Sequence, residues 1–124
     1  MATASHVLVR RAYDPPERDD GQRMLVDRLW PRGLSKERAD LNEWCKEVAP
    51  SAELRQWYGH DPDRYDEFAR RYRAELDDPD HVAAFTHLRE LAGHGRLTLL
   101  TATKRSDLSE AAVLADLLNR SARR

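Results

Sequence analysis

The sequence predicts an α/β domain, a small and mostly parallel sheet of three to four strands covered by about five helices. Short apolar stretches at residues 6–11, 23–29 and 96–101 have the length and content of buried strands. Between the second and third stretch, apolar residues recur at three- and four-residue intervals, the spacing of helices with one buried side. The resulting order of strand, strand, several helices, strand and helix is that of a layered α/β fold.

A chain of 124 residues is long enough for one core and too short for two, so one domain over 1–124 is expected. Charged residues make up 35% and mean hydropathy is -0.81, so a core forms only if apolar residues gather into periodic stripes. Net charge is -1, from 21 Lys and Arg against 22 Asp and Glu, which offers no broad attraction for nucleic acid or anionic lipid. The single cysteine, Cys45, excludes an internal disulfide and fits a reducing compartment. Residues 1–5 lack the basic start and apolar run of a secretory signal, and no window approaches a membrane span. A cytoplasmic protein without membrane contact is expected.

Taken in order, His6 to Arg11 forms the first strand and ends on two arginines. Ala12 to Gly21 is a loop, since Asp14-Pro15-Pro16-Glu17 forbids a regular element and Asp20-Gly21 marks a tight turn. Arg23 to Leu29 is the second strand. Ser35 caps a first helix whose Leu41, Trp44, Cys45 and Val48 fall at i, i+3, i+4 and i+7. Ser51 caps a shorter one with Leu54, Trp57 and Tyr58 on its apolar side and Gly59 at its end. Asp61-Pro62 and Asp78-Pro79 start two more, the second stopping at Gly93. Arg96 to Thr101 is the third strand, after which Ser106 or Ser109 caps a last helix and Asn119 to Arg124 frays. Because a loop without a helix joins the first two strands, an antiparallel pairing of these two stays open.

The stretch Val26-Asp27-Arg28-Leu29-Trp30-Pro31-Arg32-Gly33 is the candidate site, because an apolar strand runs directly into charged and aromatic residues. Pro31 removes a ladder donor and Gly33 permits positive φ, so the chain turns here. In a parallel sheet ligands bind beyond the carboxyl ends of the strands. Those ends carry Arg10 and Arg11, then Asp27, Arg28, Trp30 and Arg32, then Lys104 and Arg105.

Several motifs also carry a resemblance: Tyr13-Asp14-Pro15-Pro16, Asp20-Gly21-x-Arg23, the run Leu25 to Lys36, Ala49-Pro50-Ser51, Leu54-Arg55-x-Trp57 and His60-Asp61. Together they closely resemble the YeaO-like family of small bacterial proteins (domain of unknown function 488), over nearly the whole chain. The resemblance implies a compact α/β bacterial protein of unassigned activity, and it supplies neither a substrate nor a catalytic residue. After the third strand that family tends to show a tyrosine, then Lys-Asp and a His-Asn pair. Here Lys104 is kept while Leu108 and Ser109 hold the positions of the pair. If that pair does acid–base work in relatives, this chain has lost the group or moved it.

Each candidate supports two readings. Asp27, Arg28 and Arg32 can hold a phosphate or carboxylate through guanidinium forks, or can form an ion-pair network that fixes the turn. Trp30 is a stacking platform or a core residue. Lys104 stands just before a helix start, where anions are favoured, or is a solvated loop lysine. His60 beside Asp61 is a general base oriented by a carboxylate, or a junction residue whose neighbour caps a helix. Cys45 on an apolar face is an inert small hydrophobe. His6, His81, His87 and His94 lack the ligand spacing of a zinc site, and no motif calls for a cofactor. Arg70, Arg71 and Arg73 read as a solvated helix face.

The preferred functional reading is a binding module or weak enzyme for a small anionic ligand, with Arg28, Trp30, Arg32, Lys104 and Arg11 as contacts. Its candidate catalytic residues are Asp27, which orients an arginine, and His60, as the base. The alternative is a non-enzymatic interaction module that contacts nucleic acid or another protein through arginines and Trp30. A narrow sheet with many aromatic residues is also compatible with a homodimer.

Overall fold

The computed structural model describes residues 7–122. The expected strand start at His6 and the last two arginines lie outside this range. Four strands, β1 (Val7–Arg11), β2 (Gln22–Leu25), β3 (Glu43–Trp44) and β4 (Leu97–Thr101), form one sheet in the order β1-β4-β2-β3, and every pairing is parallel. All five residues of β4 are buried, as a central strand covered on both faces requires. The open question about the first two strands is thereby answered: they are parallel, and β4 lies between them. Ten residues, 12–21, return the chain to the starting edge. A five-residue strand spans roughly 17 Å and ten extended residues reach about 33 Å, so no helix is needed.

Five helices cover the sheet: α1 (Lys36–Ala39), α2 (Ala52–Tyr58), α3 (Tyr65–Glu75), α4 (Val82–His94) and α5 (Glu110–Ala122). Ser51 caps α2 through the Leu54 amide at 3.1 Å, and Gly59 closes it at φ 53°. The Asp61 carboxylate accepts from the Asp63 amide at 3.0 Å and opens a short helical turn that runs into α3. Of the two candidate caps for α5 it is Ser109 whose hydroxyl meets the Ala112 amide, at 3.4 Å. No helix among the described residues is long and apolar enough to cross a membrane.

Four expectations need correction. The first helix is not an amphipathic helix carrying Leu41, Trp44, Cys45 and Val48. It ends at Ala39, Asp40 turns left-handed at φ 48°, and the chain becomes β3. A helix would have placed those four side chains on one face, whereas the strand divides them. Cys45 and Val48 enter the large core, while Leu41 and Trp44 pack on a smaller one behind the sheet. Asn42 enforces the change by exchanging hydrogen bonds with the Arg23 backbone, both at 2.8 Å.

The second strand begins at Gln22 and stops at Leu25, not Leu29. Val26 still donates to the Leu100 carbonyl at 3.1 Å, but Leu29 is 72% exposed. Gly93 does not stop α4, which runs on to His94. Asn119 does not fray either: its side chain bonds both the amide and the carbonyl of Val7 at 3.1 Å, satisfying the free edge of β1.

The large core joins Met24, Val26, Leu97 and Leu99 to Phe68, Tyr72, Leu88 and Leu114, and the small one joins Leu25 and Leu100 to Ala12, Leu34 and Ala39. Alternation along β2 and β4 sends successive side chains to opposite layers. With both faces filled, side chains just past the strand ends are left to line an open edge.

Candidate functional site

A cleft of about 770 Å³ opens at the carboxyl ends of β2 and β4. Asp27, Arg28, Trp30 and Arg32 line it from beyond β2, Lys104 and Arg105 from beyond β4, Arg55, Tyr58 and His60 from α2 and its exit, and Leu108 to Glu110 from the start of α5. Such a crevice beyond strand ends is the usual ligand position in open α/β sheets.

Its floor holds two carboxyl groups. Asp27 is fixed by the ends of β4: the Thr101 hydroxyl donates to one oxygen and the Ala102 amide to the other, both at 2.8 Å. The Asp27 carbonyl accepts from the Trp44 indole at 2.8 Å, so backbone and side chain are both held. Glu110 opens α5 and hydrogen-bonds to Asp27; burial, that hydrogen bond and the adjacent charge keep its carboxyl protonated well above the usual carboxylate range. Two carboxyls can share a hydrogen bond only if one proton lies between them. The upward shift of the Glu110 carboxyl is the direction that such a shared proton produces.

Sequence reasoning missed Glu110, reading an acid in a first helical turn as ordinary. One signal was available: Glu110, Val113, Leu114 and Leu117 fall at i, i+3, i+4 and i+7, so the acid continues the buried stripe.

Arg28, Arg32 and Lys104 are exposed at the cleft rim. Among the described residues none of the three has an acidic side chain within ion-pairing distance. Arg105 differs, because Asp107 neutralises it at 2.9 Å. Arg55, a further cation missed from the sequence, donates to the Pro50 carbonyl at 3.1 Å and lies close enough to Glu110 to act on its charge.

Trp30 takes both roles foreseen for it. Its indole donates to the Leu34 carbonyl at 2.6 Å and meets Trp44 edge-on at 5.5 Å, yet it also lines the cleft. Arg11 is not among the lining residues; it donates to the Ala102 carbonyl at 3.2 Å and its guanidinium stands 5.1 Å from the Tyr13 ring centre. His60 lines the cleft in a left-handed conformation, φ 58°, with its ring 6.0 Å from Tyr58. Asp61 does not orient it, since that carboxylate serves the Asp63 amide and lies 3.6 Å from Arg64. Tyr58 donates to the Leu108 carbonyl at 2.6 Å, and burial pushes its phenol up to about 12. Cys45 is buried away from the cleft, and burial raises its thiol to about 11, which leaves it unreactive.

One wall, Ala49-Pro50, is clamped from behind. The Ala49 carbonyl faces His81 Nε2 at 3.0 Å, while His81 Nδ1 faces Asp78 at 2.8 Å. Ser51 donates to Glu75 through its amide at 2.9 Å and its hydroxyl at 2.5 Å. Helices α3 and α4 thus set the position of the cleft wall.

Residues 6–124 match a family described as the "Inactive DUF488-N3 subclade". An uncharacterised protein of Mycobacterium tuberculosis H37Rv is 51% identical over 119 residues, covering 96% of this chain and 98% of its own length. The uncharacterised protein YeaO of Escherichia coli K12 is 42% identical over 113 residues, covering 91% and 96%. No solved structure matches. With the match running through both walls and the floor of the cleft, the chain belongs to the YeaO-like DUF488 family, in the subclade described as inactive.

Proposed function

We propose that the cleft binds a small anionic ligand, phosphate- or carboxylate-bearing, with Arg28, Arg32 and Lys104 holding the anion. The observation that carries this reading is that two cations from the loop after β2 and a third from beyond β4 reach the rim of one cleft and have no acidic partner among the described residues. Guanidinium forks pair bidentately with planar or tetrahedral anions, and the start of α5 adds a favourable dipole. Trp30 supplies an apolar side wall, and Arg11 steadies the Ala102 carbonyl behind it.

Binding without turnover is favoured by two facts. The matching family is described as inactive, and Leu108 and Ser109, which line the cleft, stand where the resemblance puts a His-Asn pair. His60 is left without an orienting carboxylate. A reducing cytoplasm, rich in phosphorylated and carboxylated metabolites, is the setting that fits a single buried cysteine.

A thermal-shift panel of inorganic phosphate, phosphate esters and carboxylates tests the reading, because a ligand that binds only the native state raises the melting temperature. At least one anion is expected to stabilise the protein, and Arg32→Ala is expected to abolish that shift. If no anion shifts melting while single-stranded nucleic acid binds with a steep salt dependence, the interaction-module reading replaces this one.

A further inference from the structure

Cations account for the rim of the cleft; its floor has a different chemistry. The Asp27 and Glu110 carboxyls meet there, hydrogen-bonded to each other, and both line the cavity. Asp27 is immobilised by the Thr101 hydroxyl and the Ala102 amide, so the pair is a fixed, acceptor-rich surface. An anion is repelled from that surface, whereas a neutral group that donates a hydrogen bond is suited to it.

We propose that the ligand is a phosphorylated sugar, free or within a nucleotide, with its phosphate on Arg28, Arg32 and Lys104 and a sugar hydroxyl on the Asp27–Glu110 pair. The proposal rests on the anion-binding reading and adds the other end of the ligand. A hydroxyl matches the pair because it donates to a carboxyl oxygen while its own lone pairs stay free for further donors. A ligand ammonium matches it less well: Asp27 is already met by two donors, and Arg55 lies close enough to Glu110 to act on its charge. An acidic side chain beyond a strand end that takes a sugar hydroxyl is also an arrangement that open parallel sheets make available. Trp30, Tyr58, Phe68 and Leu108 give the cleft apolar surface for the C–H faces of a ring. Its volume of about 770 Å³ admits either a sugar phosphate or a mononucleotide.

Isothermal titration of the whole protein separates the possibilities, using ribose 5-phosphate, AMP, ethyl phosphate and phosphoethanolamine. Ribose 5-phosphate or AMP is expected to bind roughly tenfold more tightly than ethyl phosphate, the worth of one or two added hydrogen bonds. The tighter of the two names the source of the sugar.

Glu110→Gln keeps a donor toward Asp27 and an acceptor toward the ligand, so it is expected to hold the preference within about threefold. Glu110→Leu removes both and is expected to bring the two esters to equal affinity, while Arg32→Ala weakens both esters alike. The wild-type comparison decides the matter even if Glu110→Leu fails to fold. Equal binding of ethyl phosphate and ribose 5-phosphate overturns this inference and leaves the anion site standing. Tightest binding of phosphoethanolamine overturns it in favour of a charge-reading floor. Absence of binding by every phosphate overturns the anion reading, and this inference with it.

Discussion

Arg23 shows how much a single side chain is asked to do. Its guanidinium is enclosed, 2.5 Å from Asp20, and also donates to the Ala39 and Asp40 carbonyls, so it ties the loop before β2 to the end of α1. Asp20→Ala leaves that charge buried without its acidic partner and is expected to cost about 3–5 kcal/mol in urea unfolding. The neighbouring Gly21 is irreplaceable for another reason. It sits at φ 67°, and a Cβ there would come within 2.2 Å of the Arg96 carbonyl oxygen. Gly21→Ala is expected to lower stability by about 2 kcal/mol or more, read as a fall in the denaturation midpoint. At this scale the sequence was informative about charge and silent about burial. Arg28, Arg32 and Lys104 were legible because each follows a strand. Glu110 was not, because an acid at a helix start has a routine explanation in the dipole and only the neighbour Asp27, distant in sequence, makes it unusual.

Elements were legible where their signals were local. Helices α3 and α4 follow from their apolar stripes, and Asp61-Pro62 opens the turn that leads into α3; Asp78-Pro79 stays in a turn, and α4 begins only at Val82. The segment 35–48 misled because Leu41, Trp44, Cys45 and Val48 have helical spacing, and only pairing with β2 shows that they serve two different cores. Two element contacts yield measurable consequences. Asn119→Leu strands the amide and carbonyl of Val7 and is expected to cost about 1–3 kcal/mol, with faster amide exchange at Val7. The clamp on the cleft wall is pH-sensitive. Burial opposes charge on His81, but Asp78 and the Ala49 carbonyl outweigh it and raise its pKa above 6.5. A raised pKa means that the fold favours the protonated ring. Its stabilisation is therefore full below pH 6.5 and is lost as pH rises through the raised value. Melting temperature plotted against pH is expected to fall across that window in the wild type and to flatten there in His81→Gln.

For the whole molecule, the α/β class and the gathering of charges at strand ends could be read from the chain, since both depend on the order of elements. The parallel course of β1 and β2 could not, because it depends on β4 coming between them. That insertion governs how the protein is made. Strands β1 and β2 are complete by residue 25, yet the strand that joins them begins only at residue 97 of 124. During synthesis most of the polypeptide must therefore leave the ribosome with two apolar segments unzipped, a topology that slows assembly and exposes sticky edges. A fragment ending at residue 95 is expected to lack any cooperative melting transition. Adding the peptide that carries β4 and α5 in trans is expected to restore one, so the emergence of β4 is the event that lets the two waiting strands close into a sheet.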